Sequence, residues 1–436
     1  MAPSLPGRAA HEIVRLGGGH DEPGHDEHMT ETTTEQRTAT VAFTGSRAEL
    51  TGIILRGYAL MLPTLGLYRF WQATWKRRFY WQNTVIDGEP LEYTGRASQL
   101  LLGFLFALAV FVPVYMALFY LSMQETDYLL AGYLGLGALL WFFMGYGIYR
   151  ARDFRLSRTL WRGIRFNLHG SAWGYAIRRF LWSVIVFATV GLAYPWMASS
   201  LWRYRWKHTW YGDRRFEIAG NWRTVALPFY VAFFCNIGVF TAALVALTGI
   251  KDIIAIGRFQ VPGPMSSLVI LIAVVFLLLT LAYYRAHVAS RMLSTVSLGE
   301  AKLKVELQTW PLFFQYVGYG LAIVAVVAVL ALVVLLAIGG IVVASGVGSA
   351  VQGADGLAMA FQSGTMNVVL LIGAYLVVLG IFGLLSEVII GFGWWRLLAR
   401  SATIENPQNI ATVKASTEDT SLVGQGIADA LNVGTY

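Results

Sequence analysis

Residues 51 to 70 read TGIILRGYALMLPTLGLYRF, and residues 181 to 196 read LWSVIVFATVGLAYPW. Both are apolar enough to enter a membrane, yet each is interrupted. The first contains Arg56 and Pro63; the second is short, follows Arg178-Arg179 and closes on Pro195. Six other apolar segments, at 99 to 122, 128 to 149, 225 to 249, 265 to 284, 315 to 343 and 367 to 393, are long enough to span a bilayer, which takes about 20 mostly apolar residues. If all eight segments crossed, the basic stretch 150 to 179 would lie on one side, and Arg203, Arg205, Lys207, Arg214, Arg215 and Arg223 on the other. That arrangement conflicts with the bias of positive charge toward the cytoplasm. If the two broken segments dip in and return, or lie at the surface, every basic loop faces one side. Six spans with both termini inside are therefore expected.

Composition agrees. Of 436 residues, 56% are hydrophobic and 13% charged, about half the charge of an ordinary soluble domain. The net charge of +8 would fit a nucleic-acid partner, but its placement does not: residues 43 to 400 hold 29 Lys and Arg against 14 Asp and Glu, packed beside the spans. Such runs point to anionic lipid, and no nucleic-acid partner is expected. Cys235 is the one cysteine, which excludes an internal disulfide and a Cys-rich metal site. The first forty residues contain no apolar h-region and so no cleavable signal peptide. Residues 1 to 42 read as a disordered acidic tail, within which His20, His25 and His28 alternate with acids, or which precedes a true start at Met29. Residues 401 to 436 read as a polar C-terminal tail.

A shift of 125 residues carries Gly45, Thr64, Gly66, Leu67, Trp71, Thr84 and Gly95 onto Gly170, Thr189, Gly191, Leu192, Trp196, Thr209 and Gly220. Fixed-offset identity of this kind argues for duplication. The chain divides accordingly into a first repeat at 43 to 170, a second at 171 to 306 and a third transmembrane hairpin at 307 to 400. Shorter elements recur after several spans. Each begins with aromatic and basic residues, as in Trp75-Lys76-Arg77-Arg78, passes through Thr84, Thr159, Thr209 or Thr295, and continues in short alternations with glycine. These read as β-like cytoplasmic elements. The expected fold is an all-α polytopic membrane protein with three transmembrane hairpins, 99 to 149, 225 to 284 and 315 to 393, two re-entrant or interfacial segments, and small strands at the inner face.

Phe43-Thr44-Gly45, the run Thr64 to Trp71, Asn83-Thr84 with Gly88, and above all Arg158-Thr159-Leu160-Trp161-Arg162-Gly163-Ile164-Arg165-Phe166 resemble the YjgN-like family of bacterial inner-membrane proteins. The resemblance covers about residues 43 to 410. It implies a multipass protein of the bacterial inner membrane and brings no activity, because the family is a domain of unknown function. In the second copy Gly212-Asp213 reverses Asp87-Gly88, so that turn is expected to be reshaped.

No nucleotide-binding or hydrolase motif is present, and neither a catalytic residue, a cofactor nor a metal is expected. Polar residues at membrane depth are functional candidates by default: Glu387 in the last span, Arg56 as its expected partner, and Asn236 as interhelical glue or ligand. For Glu387 the plainer alternative is a structural ion pair, or snorkelling to the inner surface. His169, His208 and His287 lie near the inner face, where hydrogen-bonded imidazoles are the commoner outcome. Arg77, Arg150, Arg203, Arg285 and Arg396, set among Trp and Tyr, are candidate lipid-headgroup contacts. Three functions remain open: a small-solute transporter or channel, built on duplication and broken helices; an anionic-lipid-binding or envelope-organising protein; and, least supported, a membrane enzyme.

Overall fold

The computed structural model describes residues 37–124, 129–249, 254–256, 259–344 and 365–415. The His20 to His28 stretch, Met29 and much of the outer turns at 123 to 127, 250 to 264 and 344 to 366 lie outside the described residues. Within them run the helices α1 (Arg47–Met61), α2 (Arg69–Gln82), α3 (Ala97–Gln124), α4 (Leu129–Leu156), α5 (Ala172–Ala188), α6 (Tyr194–Lys207), α7 (Trp222–Gly249), α8 (Pro264–Leu293), α9 (Thr309–Ala344), α10 (Thr365–Leu385) and α11 (Phe392–Arg400), the last two joined by a π-helical segment, Ser386–Gly391. Among the described residues six stretches are long and apolar enough to cross a membrane: Ala97–Leu121, Gly132–Leu156, Trp222–Gly249, Pro264–Leu293, Thr309–Val333 and Ile372–Arg400. They are apolar on every face, with Phe106, Phe240, Leu271 and Leu335 all strongly exposed, a surface that lipid accommodates and water does not. This is a multipass membrane protein.

The two interrupted segments are helix–turn–helix hairpins. Helix α1 has 15 residues, about 22 Å, short of the ~30 Å hydrocarbon layer. At the α1–α2 turn the Thr64 hydroxyl donates to the Leu60 carbonyl at 2.6 Å and accepts from the Tyr68 amide at 3.1 Å, while the Gly66 amide reaches Met61 at 2.8 Å. At the α5–α6 turn Thr189 donates to Ile185 at 2.8 Å and accepts from Ala193 at 3.1 Å, and Gly191 reaches Val186 at 2.8 Å. Leu65 and Gly66, at φ +49° and +85°, match Val190 and Gly191, at +50° and +92°. A non-glycine residue in the left-handed region is costly, and here the threonine hydroxyl and the glycine hold it. Leu65 and Val190 are 94% and 81% exposed, so both turn tips present apolar side chains outward, as insertion into lipid requires.

The expectation of an all-α protein does not hold. The hairpins stand on an eleven-stranded antiparallel sheet built from β1 (Thr38–Phe43), β2 (Thr84–Ile86), β3 (Glu89–Tyr93), β4 (Thr159–Trp161), β5 (Ile164–Leu168), β6 (Thr209–Tyr211), β7 (Arg214–Arg215), β8 (Glu217–Ile218), β11 (Val296–Leu298), β12 (Ala301–Val305) and β13 (Ala402–Glu405), in the order β7-β6-β5-β4-β3-β2-β1-β13-β12-β11-β8. The remaining two strands, β9 (Ile254–Ile256) and β10 (Phe259–Val261), pair separately between α7 and α8. The end strands β7 and β8 are separated by Phe216 alone, so the sheet comes back on itself as a nearly closed barrel. The short elements expected from sequence are real, but they form one structure. Each strand holds two to six residues; local hairpins such as β2–β3 and β4–β5 are joined by pairs such as β3–β4 and β5–β6 between stretches distant in the chain.

Two of the turns, Asp87-Gly88 and Arg162-Gly163, have positive φ at both central residues, the twist that suits a two-residue hairpin. The Gly212-Asp213 turn differs as expected: of the two residues only Gly212 has positive φ, and a Cβ there would overlap the Lys414 carbonyl. Strand β1 begins at Thr38, inside the stretch expected to be disordered, and pairs with β13, Thr38 opposite Glu405; the two ends of the membrane core thus complete the ring. The C-terminal segment, expected as a polar tail, continues from β13 through a 3-10 turn, Pro407–Ile410. Ile410 and Val413 join Trp161, Tyr211, Leu298 and Ala301 in one buried cluster. The Tyr211 hydroxyl donates to the Trp161 carbonyl at 2.9 Å, and burial pushes its phenol up to about 12. Helices pack on their neighbours in chain order and α1 on α10, so a ring of helices surmounts the ring of strands.

Candidate functional site

Five helices, α2, α4, α6, α8 and α11, run directly into strands β2, β4, β6, β11 and β13. The last turns of α4, α6, α8 and α11 carry Arg155, Arg205 with Lys207, Arg291 and Arg400, a placement that complements the negative end of a helix dipole, whereas the basic run of α2, Lys76 to Arg78, lies one turn earlier. Where α2 passes the π-helical segment, Lys76 Nζ lies 3.1 Å from Glu387 Oε2 and the Tyr80 hydroxyl donates to Oε1 at 3.2 Å. Lys76 and Tyr80 stand four apart on α2 and so share a face. The π turn carries one extra residue and leaves carbonyls out of register, a distortion frequent at functional sites. The Gln315 amide of α9 donates to two of them, Ile389 at 2.6 Å and Ile390 at 2.8 Å. Gly393 makes that reach possible, since a Cβ there would stand 2.5 Å from Gln315 Nε2. The Lys76 and Glu387 side chains are 28% and 30% exposed, so the pair is half-buried and accessible.

Arg56 is not the partner of Glu387. It sits exposed on α1, and Lys76 takes the role expected of it. The four-residue spacing of Lys76 and Tyr80 was visible in sequence; the π segment that turns Glu387 toward them was not. Asn236 accepts from the Thr280 hydroxyl at 2.8 Å, joining α7 to α8, which is glue. Of the headgroup candidates, Arg77 donates to the Tyr93 hydroxyl at 3.1 Å, Arg150 pairs with Asp153 at 3.0 Å, and Arg285 donates to the Tyr316 hydroxyl at 3.1 Å while lying over Trp394. Arg203 is exposed and Arg396 half-buried. The structure therefore splits these five into three held by internal partners and two without one in the described residues.

The histidines do not gather. His169 and His208 meet across β5 and β6, where the His169 amide donates to the His208 carbonyl. The ring nitrogens Nδ1 of His208 and His287 each sit against a carbonyl one turn earlier, Tyr204 at 2.7 Å and Tyr283 at 2.9 Å. Among the described residues no group of three or more His, Cys, Asp or Glu is arranged to hold a metal ion. Two surface grooves flank the helices. One, of about 420 Å³, runs along α5 past Ile177, Arg178 and Trp182; the other, of about 510 Å³, lies between Lys304, Glu306, Arg400 and Thr403.

A family model described as "Bacterial protein of unknown function (DUF898)" matches residues 38–430, the family the sequence resembles under its YjgN-like name. No curated protein and no solved structure matches the chain.

Proposed function

The chain belongs to the DUF898 family of bacterial proteins of unknown function, and we propose that it is an anionic-lipid-binding membrane scaffold, not a conduit. One observation carries this reading: five helix ends rich in arginine, lysine, tryptophan and tyrosine all enter one ring of strands, which sets them at a common level. Such a collar matches the headgroup layer, where aromatic rings sit at the interface and each basic residue attracts anionic lipid by about 1 kcal/mol. Charge bias then puts the strand ring, with residues 37 and 415, on the cytoplasmic side of the inner membrane. Trp161, Tyr211, Phe166, Phe216, Ile410 and Val413 fill the ring, which supports a scaffold over a solute path through it. The identical turn geometry of α1–α2 and α5–α6 supports reading the chain as internally duplicated.

The decisive measurement is lipid retention. Wild-type protein purified in mild detergent is expected to carry phosphatidylglycerol or cardiolipin in excess over zwitterionic lipid, and the Arg203→Gln/Arg396→Gln variant to carry at least threefold less. Unchanged retention in a folded variant overturns the collar reading. Solute flux in proteoliposomes that is abolished by Glu387→Gln would restore the transporter.

A further inference from the structure

The floor beneath the α5–α6 hairpin contains cations that no acid among the described residues answers. Near the end of α4, the Arg152 guanidinium lies over the Trp206 ring, 4.9 Å from its centre. Trp206 packs against Trp202 at 5.6 Å and against Phe216 at 5.3 Å, and the Arg205 guanidinium stands 5.7 Å from the Trp202 ring. The four side chains thus form one connected group, Arg152 on Trp206, Trp206 on Trp202 and Trp202 beneath Arg205. Arg155 and Arg205 are close enough to act electrostatically on Arg152, which concentrates positive charge there.

Hydrogen bonding is incomplete at every member. Arg152 Nε, Arg205 Nε, Trp202 Nε1 and Trp206 Nε1 are all buried without a partner. Neither Arg152 nor Arg205 has a carboxylate within ion-pair distance among the described residues, and the nearest acid in sequence, Asp153, is engaged by Arg150. An aromatic face compensates one side of a guanidinium but leaves its edge N–H groups unmet, and buried donors in native proteins are nearly always satisfied by something.

The corresponding place under the first hairpin shows what satisfaction looks like. Tyr80 and Trp81 stand 125 residues before Arg205 and Trp206. There the Tyr80 hydroxyl donates to Glu387 at 3.2 Å, the Trp81 indole donates to the Thr159 hydroxyl at 2.8 Å, and Trp395 packs against both rings. The Tyr80 hydroxyl and the Trp81 and Trp395 indoles each have a partner.

We propose that Arg152 and Arg205, with the indole N–H groups of Trp202 and Trp206, bind a phosphate group. Two guanidinium edges and two indole donors suit a tetrahedral oxyanion with several acceptor oxygens, and planar guanidinium groups pair with phosphate in bidentate fashion. The group is carried by a lipid headgroup or by a free anion. The lipid-borne form rests on the collar reading; the phosphate chemistry does not.

The test uses full-length protein in detergent, titrated with inorganic phosphate and, separately, with mixed micelles containing phosphatidylglycerol or phosphatidylcholine, read by quenching of tryptophan fluorescence and by thermal shift. Saturable binding of at least one phosphate-bearing probe is expected, weakened tenfold or more in Arg152→Gln/Arg205→Gln and unchanged in Lys302→Gln, a change at an exposed strand residue. Saturation by inorganic phosphate assigns a free anion, and saturation by phosphatidylglycerol alone assigns a headgroup. Should the double variant fail to fold, Arg152→Lys, which keeps the charge and loses the planar edge, is expected to weaken binding at least threefold. Absence of binding by every probe, or equal binding by wild type and variants, overturns the site. Retained lipid that responds to Arg203→Gln/Arg396→Gln but not to Arg152→Gln/Arg205→Gln sinks this site and leaves the collar standing.

Discussion

The α1–α2 and α5–α6 hairpins share a turn hydrogen bond for hydrogen bond and differ in everything beneath it. Under the first, positive charge is answered within the chain: Lys76 meets Glu387, and Gln72 tucks against Gly57 to donate to the Ile54 carbonyl at 3.0 Å. Under the second, the matching positions are Leu201, Met197 and Trp182, Leu201 and Met197 pack with Ala172 and Tyr175, and Arg152 and Arg205 have no carboxylate within ion-pair distance among the described residues. A few local bonds at Thr64 and Thr189 are enough to set a backbone, so its shape persists while the chemistry below is rewritten. One hairpin holds Lys76 against a carboxylate of the chain, and the other leaves buried donors without a partner among the described residues.

Breaking the ion pair is the strongest way to test this contrast. Glu387→Leu leaves Lys76 without its carboxylate and is expected to cost about 2 kcal/mol, less than for a sealed pair because both side chains are partly exposed. Lys76→Leu/Glu387→Leu should recover most of that loss, as measured by thermal unfolding in detergent. Equal losses in the single and double variants would show that the pair is incidental. No matching pair exists under the second hairpin.

Gly57→Ala comes next. Its Cβ would stand 2.6 Å from Gln72 Cγ, overpacking that costs about 1–3 kcal/mol. Trp182→Ala, at the matching position on α5, should cost less, and the reverse order would mean that the two hairpins are closed by the same kind of packing. Smallest is the turn itself. Thr64→Val and Thr189→Val each remove a side-chain hydrogen bond worth about 1 kcal/mol, and the two losses should agree within a few tenths if the turns are equivalent. A marked inequality would limit the likeness to geometry.

Much of this was legible from residue order. Arg56, Pro63 and Pro195 marked the two segments that fail to span, and the 125-residue offset placed Thr64 on Thr189 and Gly66 on Gly191, the residues that make the turn. Asn236, expected as interhelical glue or ligand, accepts a hydrogen bond from Thr280 of the neighbouring helix. Arg56 was expected to partner Glu387 only because both are charged residues at membrane depth; tertiary packing brings Lys76 of α2 to the carboxylate instead, at a π segment, Ser386–Gly391, that no residue pattern marks. Arg77 and Arg285 looked free because Tyr93 and Tyr316 approach them through tertiary packing, whereas the partner of Arg150, Asp153, stands three residues on in the same helix and was within reach of a sequence reading.

The sequence by itself determined the six apolar stretches and the two interrupted segments, since each follows from hydropathy or turn chemistry within a few neighbouring residues. Only the tertiary structure decided that six separated stretches close into one ring of strands, that Lys76 pairs with Glu387, and that Arg152 and Arg205 meet no acid among the described residues. Those outcomes depend on pairings such as Thr38 with Glu405, between strands too short to announce themselves and too distant in the chain for any local pattern to record.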